Sequence, residues 1–243
     1  MSPSVPTIGL IVPPGHGQVP QDGPLLYGER VRFIARGLGI AGVSPEGFAP
    51  VIDTVLDRAR ELRAAGADVI SLMGTSISFY RGPAFTESLR LAMAEATGVP
   101  CTTMSHAIVR ALRQLGMRRV AVATSYIDEL NDKLVAYLTH AGFTVTAIEG
   151  LSIVGVQEVG EVTTEALGAL SRKVFARDTS ADGIFISCGG LLTLDAIRQL
   201  EAQLHVPVTA SSPAGFWDAV RLAGADAAAP GFGRLFAEAV TSR

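Results

Sequence analysis

Two stretches of this chain repeat the same pattern 114 residues apart, and this repeat limits the possible folds more than any other feature. Residues 67–76 and 181–190 both begin with Ala-Asp, continue through an apolar run typical of a buried strand, and end in a glycine-containing turn. Two shorter repeats follow the same order, pairing residues 99–102 with 206–209 and residues 7–12 with 119–124. Three repeats in one order predict two similar halves that face each other.

Apolar runs alternate with segments of helical period in both halves, which predicts parallel sheets covered by helices on both faces. We therefore expect an α/β fold of two pseudo-symmetric, doubly wound parallel-sheet halves, with the active site in the cleft between them. The first half is expected to comprise residues 1–116 plus 212–243, and the second residues 117–211. Residues 16–44 show no sustained period and are predicted to be a loop that covers a site.

The remaining segments give simpler expectations. Residues 46–65 are predicted to form one helix, because their apolar residues recur at helical spacing. Residues 151–159 are predicted to be an apolar loop or a strand.

Composition narrows the class of protein. Of the 243 residues, 48% are hydrophobic and 18% charged, which is typical of a compact globular protein, and a net charge of −3 gives no reason to expect nucleic acid or an anionic membrane as partner. The apolar stretches are too short to span a bilayer, and the N-terminus lacks the pattern of a signal peptide. The two cysteines lie far apart without a CxxC pair, so we expect a reducing cytoplasm as the compartment. We also expect a monomer.

Cys188 is the main candidate for chemistry. It follows an apolar run at residues 184–186 and precedes Gly189, Gly190 and a helical pattern. Glycine N–H groups and the start of a helix both stabilise negative charge, on the sulfur or on a bound carboxylate. The alternative is an ordinary buried cysteine. The repeat favours a functional role, because position 74, the twin of position 188, is glycine, which leaves one sulfur between the halves.

Polar groups at neighbouring strand ends could hold a carboxylate. Thr75 and Ser76 follow one strand, Tyr126 follows another, and the N–H groups of Gly189 and Gly190 lie beside the thiol. Preorganised donors of this kind stabilise an enediolate more than the carboxylate from which it forms. Thr75 and Ser76 could instead cap a helix, and Tyr126 could be a surface aromatic.

Metal and nucleotide chemistry have no support in the sequence. The histidines at positions 16, 106, 140 and 205 show no metal-ligand spacing, and no P-loop, no GxGxxG after a strand and no HExxH is present. No cofactor is expected.

Three segments, residues 71–76, 187–197 and 211–220, resemble the arylmalonate decarboxylase family, which belongs to the aspartate/glutamate racemase superfamily. The resemblance covers nearly the whole chain. It implies a cofactor-free carbon-carbon lyase that converts 2-aryl-2-alkylmalonates to 2-arylalkanoates of one hand, R for methylphenylmalonate, through an enediolate protonated by Cys188. Racemases of the superfamily carry a second cysteine at the twin position, so Gly74 fits the decarboxylase pattern.

The resemblance also implies roles for the other site residues. Thr75, Ser76, Tyr126 and Gly189 would hold the retained carboxylate, while Pro14 and Gly74 would leave room for the aryl ring. The leaving carboxylate would lie in an apolar pocket, where desolvation raises the energy of an anion but not of CO₂. The residues at the matching positions, which could also be ordinary core, are Ile40, Val43, Ile77, Val156 and Val159.

Two other functions stay open at this point. An amino-acid racemase or maleate isomerase of the same superfamily would need a second sulfur near the site, and Cys101 is the remaining cysteine. A non-catalytic carboxylate-binding protein would use the same polar groups without turnover.

Overall fold

The computed structural model describes residues 5–50 and 52–237 and contains two four-stranded parallel sheets. The first sheet has the order β2-β1-β3-β4 and consists of β1 (Thr7–Val12), β2 (Arg32–Gly37), β3 (Val69–Leu72) and β4 (Cys101–Thr103). The second has the order β6-β5-β7-β8 and consists of β5 (Arg119–Thr124), β6 (Thr144–Gly150), β7 (Gly183–Ser187) and β8 (Val208–Ala210). The predicted fold of two α/β halves is confirmed.

Helices connect the strands and cover the sheets. Those between β1 and β5 are α1 (Asp22–Tyr27), α2 (Pro45–Phe48), α3 (Val55–Ala64), α4 (Thr75–Phe79), α5 (Pro83–Thr97) and α6 (Met104–Gln114). Those after β5 are α7 (Asp128–His140), α8 (Val156–Gly160), α9 (Thr164–Arg177), α10 (Leu194–Leu204) and α11 (Ser211–Leu222). None of these helices in the described ranges is long and apolar enough to span a membrane.

The central strands explain why the repeats are visible in the sequence. The strands β1, β3 and β7 are buried along their whole length, and β1 and β3 each pair with a strand on both sides. A parallel strand with helices on both faces must be apolar at nearly every position, so it reads as a continuous apolar run. In each pair of repeated segments, the two strands occupy the same position in the strand order of their sheets.

Three segments differ from their expectations. Residues 16–44 contain α1 and the edge strand β2, which among the described strands pairs with β1 alone. Strand β2 carries Arg32 and Arg36, so it lacks the apolar run of a central strand. Residues 46–65 are not one helix, because α2 ends at Phe48 and α3 begins at Val55. In residues 151–159, a short helix, α8, begins at Val156.

The last long helix joins the site to the rest of the fold. Helix α11 follows β8 of the second sheet but packs mainly against α6 and α1. Arg110 on α6 binds the buried carboxylate of Asp218 on α11 through two hydrogen bonds of 2.5 and 2.6 Å, and Thr102 Oγ1 donates a third of 2.7 Å. Charge-assisted bonds of this geometry fix a helix pair in one register. The division of the chain at residues 116 and 211 stays a prediction.

We expect Arg110→Met to destabilise the protein by ~2–3 kcal/mol, because it leaves the buried carboxylate of Asp218 without a cation. The measurement is the free energy of unfolding in urea. The control is Arg60→Met, since Arg60 forms an exposed ion pair with Asp57, and loss of such a pair costs less than ~1 kcal/mol. Equal losses in the two variants would contradict this reading of α11.

Candidate active site

A cavity of about 770 Å³ opens where strands of both sheets end. Its wall includes the residues that directly follow β1, β3 and β7, together with the loop at residues 13–22, helix α8, and Ser212 at the start of α11. Ligands of parallel α/β sheets bind beyond the carboxyl ends of the strands. Val43 lines the cavity, and its N–H donates a hydrogen bond of 2.9 Å to the carbonyl of Val154 in the second half.

Cys188 lies in the wall of this cavity, directly after β7. Its φ is +145°, a backbone conformation that residues with a side chain rarely adopt. The N–H of Cys188 donates to Ser211 Oγ at 3.2 Å, and the N–H of Leu191 donates to its carbonyl at 3.4 Å. Strain of this type persists where surrounding contacts hold the residue, and it is common at functional sites.

The surroundings keep the Cys188 thiol protonated. Burial raises the pKa of Cys188, whereas the side chain of Ser125, the N–H of Gly190 and the side chain of Tyr126 act in the opposite direction. Cys188 as a whole is 6% exposed. The helix expected after the glycines begins at Leu194, with Thr193 as its N-cap. A protonated thiol is suited to donate a proton.

The hydroxyl groups expected to hold a carboxylate come together beside the thiol. Thr75 and Ser76 begin helix α4, are buried, and line the cavity. Tyr126 is fully buried behind the wall and does not line the cavity, and its hydroxyl accepts a hydrogen bond of 3.4 Å from Ser187 Oγ.

The pKa of Tyr126 shows how close these groups lie. Burial and then the charge of Cys188 raise the pKa of Tyr126 well above its ordinary value. The side chains of Thr75 and Ser76 lower it by hydrogen bonding. Tyr126 is therefore a neutral phenol, able to donate a hydrogen bond.

Gly189 and Gly190 also line the cavity, and the space around them is narrow. A Cβ at position 189 would lie 3.1 Å from Met104 Sδ, and a Cβ at position 190 would lie 3.0 Å from a methyl group of Val159. The same methionine accepts a hydrogen bond of 2.7 Å from Thr75 Oγ1. Glycine therefore lets the backbone N–H groups approach the cavity closely.

The apolar residues expected to surround a leaving carboxylate all line the same cavity. They are Ile40, Val43, Ile77, Val156 and Val159. No lysine or arginine lines the cavity within the described ranges, so an anion bound against these five residues meets aliphatic groups and no lysine or arginine charge.

Gly74 and Pro14 line the cavity too, and Gly74 has a close neighbour that sequence reasoning could not show. A Cβ at position 74 would lie 2.4 Å from Cγ2 of Ile77 and 3.4 Å from Cγ of Pro13. The proline ring nearest to Gly74 is therefore that of Pro13. The space that a twin cysteine would need is occupied by Ile77.

Four further polar residues lie near the site, although the sequence assigned none of them a role there. Ser211 holds the backbone of Cys188, and Ser125 lies beside Cys188 because β5 and β7 pair Thr124 with Ser187. Asp22 and Ser212 line the cavity. Their positions depend on contacts between distant elements, which local sequence patterns do not encode.

Besides Cys188, two titratable residues in the described ranges line the cavity: His16 and Asp22. His16 is exposed, and its Nδ1 accepts a hydrogen bond of 3.2 Å from the N–H of Gln18. No group of three or more His, Cys, Asp or Glu residues in residues 5–50 and 52–237 is arranged to hold a metal ion.

Comparison with known proteins gives consistent matches over nearly the full length. The family model for arylmalonate decarboxylase matches residues 8–236. The chain is 56% identical to an arylmalonate decarboxylase of Bordetella bronchiseptica over 97% of this chain and 98% of that protein. It is 30% identical to a maleate isomerase of Nocardia farcinica, with 94% of each chain covered.

Solved structures of the same two kinds of enzyme are also similar to this chain. A liganded arylmalonate decarboxylase with the substitutions Gly74→Cys and Cys188→Ser superposes with a TM-score of 0.93 at 55% identity, covering 95% of this chain and 98% of that one. The maleate cis-trans isomerase of Nocardia farcinica bound to TRIS superposes with a TM-score of 0.87 at 27% identity, covering 96% and 98%.

We expect Ser125→Ala to raise the pKa of Cys188, because the buried Ser125 hydroxyl lowers that pKa and is not committed to another hydrogen bond among the described residues. The measurement is the rate of alkylation by iodoacetamide against pH, in a Cys101→Ser background that leaves Cys188 as the remaining cysteine. The control is Ser171→Ala, which removes another buried hydroxyl that is equally unpartnered in that part of the chain. Superimposable profiles for Ser125→Ala and its parent would contradict the assignment.

Proposed function

Because the chain belongs to the arylmalonate decarboxylase family, we propose that it releases one carboxylate of 2-aryl-2-alkylmalonates as CO₂ and protonates the resulting enediolate on one face. The chain is a carboxy-lyase. The observation that carries the proposal is a buried, protonated thiol at Cys188 in a cavity whose twin position is glycine.

The retained carboxylate is proposed to bind among Thr75, Ser76, the phenol of Tyr126 and the N–H groups of Gly189 and Gly190. All of these are neutral donors, and the Thr75, Ser76 and Tyr126 side chains are buried. Once the carboxylate becomes an enediolate it carries more negative charge, so these fixed donors stabilise it more than they stabilise the substrate. Removal of one such donor commonly costs ~3–4 kcal/mol of transition-state stabilisation.

The leaving carboxylate is proposed to lie against the aliphatic wall formed by residues 40, 43, 77, 156 and 159. A carboxylate without hydrogen bonds or cations is raised in energy, whereas neutral CO₂ is not. The lack of lysine and arginine in the described part of the cavity wall supports this arrangement. Binding of the other carboxylate and of the aryl group offsets the cost of this desolvation.

The bond changes balance without a further reactant. The bond between the α-carbon and the leaving carboxylate breaks, and its electron pair enters the enediolate, which conjugates with the aryl ring. The S–H proton of Cys188 then moves to the α-carbon, leaving a thiolate that regains a proton from solvent. Because Gly74 has no side chain to donate a proton, the proposal assigns protonation to the Cys188 face.

We expect Cys188→Ala to lower kcat for methylphenylmalonate by roughly 10²–10⁴-fold, the usual contribution of a positioned general acid. The residual product should be racemic, because water can reach the enediolate from either face. CO₂ release and chiral chromatography of the product measure both effects. Maleate and both glutamate enantiomers serve as comparison substrates, and turnover of those compounds in place of the malonate would overturn the proposal.

We expect Gly74→Cys to exchange and racemise the α-hydrogen of 2-phenylpropionate, because a sulfur then stands at both twin positions. The new Cβ meets Ile77 at 2.4 Å, so the double variant Gly74→Cys/Ile77→Ala should exchange faster than the single one. Deuterium uptake from D₂O, followed by NMR, measures the exchange. The control, Gly74→Ala/Ile77→Ala, makes the same room without a sulfur. Exchange in the control equal to that in the cysteine variant would count against two-faced proton transfer.

A further inference from the structure

The cavity wall contains a buried polar pair that the proposed reaction does not use. Asp22 is the first residue of α1 and Ser212 the second residue of α11, and both line the cavity. They are 4% and 2% exposed. The two helices are in close contact here: a Cβ added at Gly23 would lie only 2.4 Å from the ring of Phe216 on α11.

Ser212 lacks a hydrogen-bond partner in the described part of the chain, and Asp22 lacks a cation. Ser212 Oγ makes no hydrogen bond within residues 5–50 and 52–237, and no lysine, arginine or histidine in those ranges forms an ion pair with Asp22. Burial raises the pKa of Asp22 to about 6, while the nearby Ser212 hydroxyl acts in the opposite direction. Unsatisfied buried polar groups are rare in proteins and call for a ligand or an ordered water.

The charge of the pair limits what can bind to it. A carboxylate at Asp22 repels the malonate carboxylates, so the part of the substrate that faces Asp22 is not an anion. Carboxylate and hydroxyl oxygens accept hydrogen bonds. The cavity volume of about 770 Å³ lies within the range of pockets that hold drug-sized ligands, so there is room for a substituted ring.

On the basis of the proposed function, we propose that Asp22 and Ser212 form a subsite for a hydrogen-bond donor on the aryl group of the substrate, a phenolic hydroxyl or an aromatic amine. The preferred substrates are then aryl malonates with a polar ring substituent. An unsubstituted phenyl ring leaves the pair without a partner.

The test compares methylphenylmalonate with its three monohydroxylated ring isomers. For the wild type, we expect kcat/KM for at least one isomer to exceed that of the unsubstituted compound by about tenfold, as a hydrogen bond to a charged group would give. In Asp22→Asn this ratio should fall toward one, whatever the absolute rates. Ser212→Ala should lower it in the same direction but by less. The control, Asp57→Asn, changes an exposed carboxylate and should keep the wild-type ratio.

Binding separates failure of the subsite from failure of the reaction. Calorimetry with phenylacetate and the three hydroxyphenylacetates, on wild type and Asp22→Asn, gives the same ratio without turnover. A preference for a hydroxylated acid that Asp22→Asn abolishes supports the subsite even if no malonate is decarboxylated. Equal ratios in wild type and Asp22→Asn, both in turnover and in binding, would overturn the inference. Asp22 would then be a structural contact or a water site. The same conclusion holds if Asp22→Asn lowers the melting temperature but leaves both ratios unchanged.

Discussion

The hydrogen bond from the N–H of Cys188 to Ser211 Oγ is the contact on which the site depends. Cys188 has a φ of +145°, which costs of the order of 1–3 kcal/mol for a residue with a side chain. Ser211 begins α11, and α11 is held against α6 by Arg110 and Asp218. The conformation of the thiol therefore depends on packing between helices that lie outside the cavity, and this packing fixes the direction of the Cys188 side chain.

The sequence predicted the fold well wherever burial determines the residue types. Central parallel strands must be apolar on both faces, so the repeats at residues 7–12 and 119–124 coincide with β1 and β5. The edge strand β2 has one neighbour and can carry arginines, which removes the pattern that would identify it. The short helix α4 at Thr75 was also missed, because five residues are too few for a helical period to be recognised.

The candidate site was predictable in part, because of the internal repeat and not because of burial. Cys188 and Gly74 are linked by the repeat, and Thr75, Ser76, Gly189 and Gly190 follow the same strand ends. Asp22 and Ser125 are ordinary polar residues in their local sequence, and Ser211 belongs to a segment that carries the resemblance without an assigned role, so the relation of all three to the thiol arises only when distant elements pack. Pro13 illustrates the limit: its place beside Gly74 is set by a contact between β1 and β3 that no local pattern encodes.

The difference between the twin positions involves more than the loss of a sulfur. At position 188 the backbone is strained and the thiol is buried among donors, whereas at position 74 the methyl group of Ile77 fills the place of a side chain. Ile77 therefore has two roles: it belongs to the apolar wall, and it narrows the space beside Gly74. In the proposed mechanism, the difference between the two faces of the enediolate therefore depends on the aliphatic side chain at position 77 as well as on the thiol at position 188.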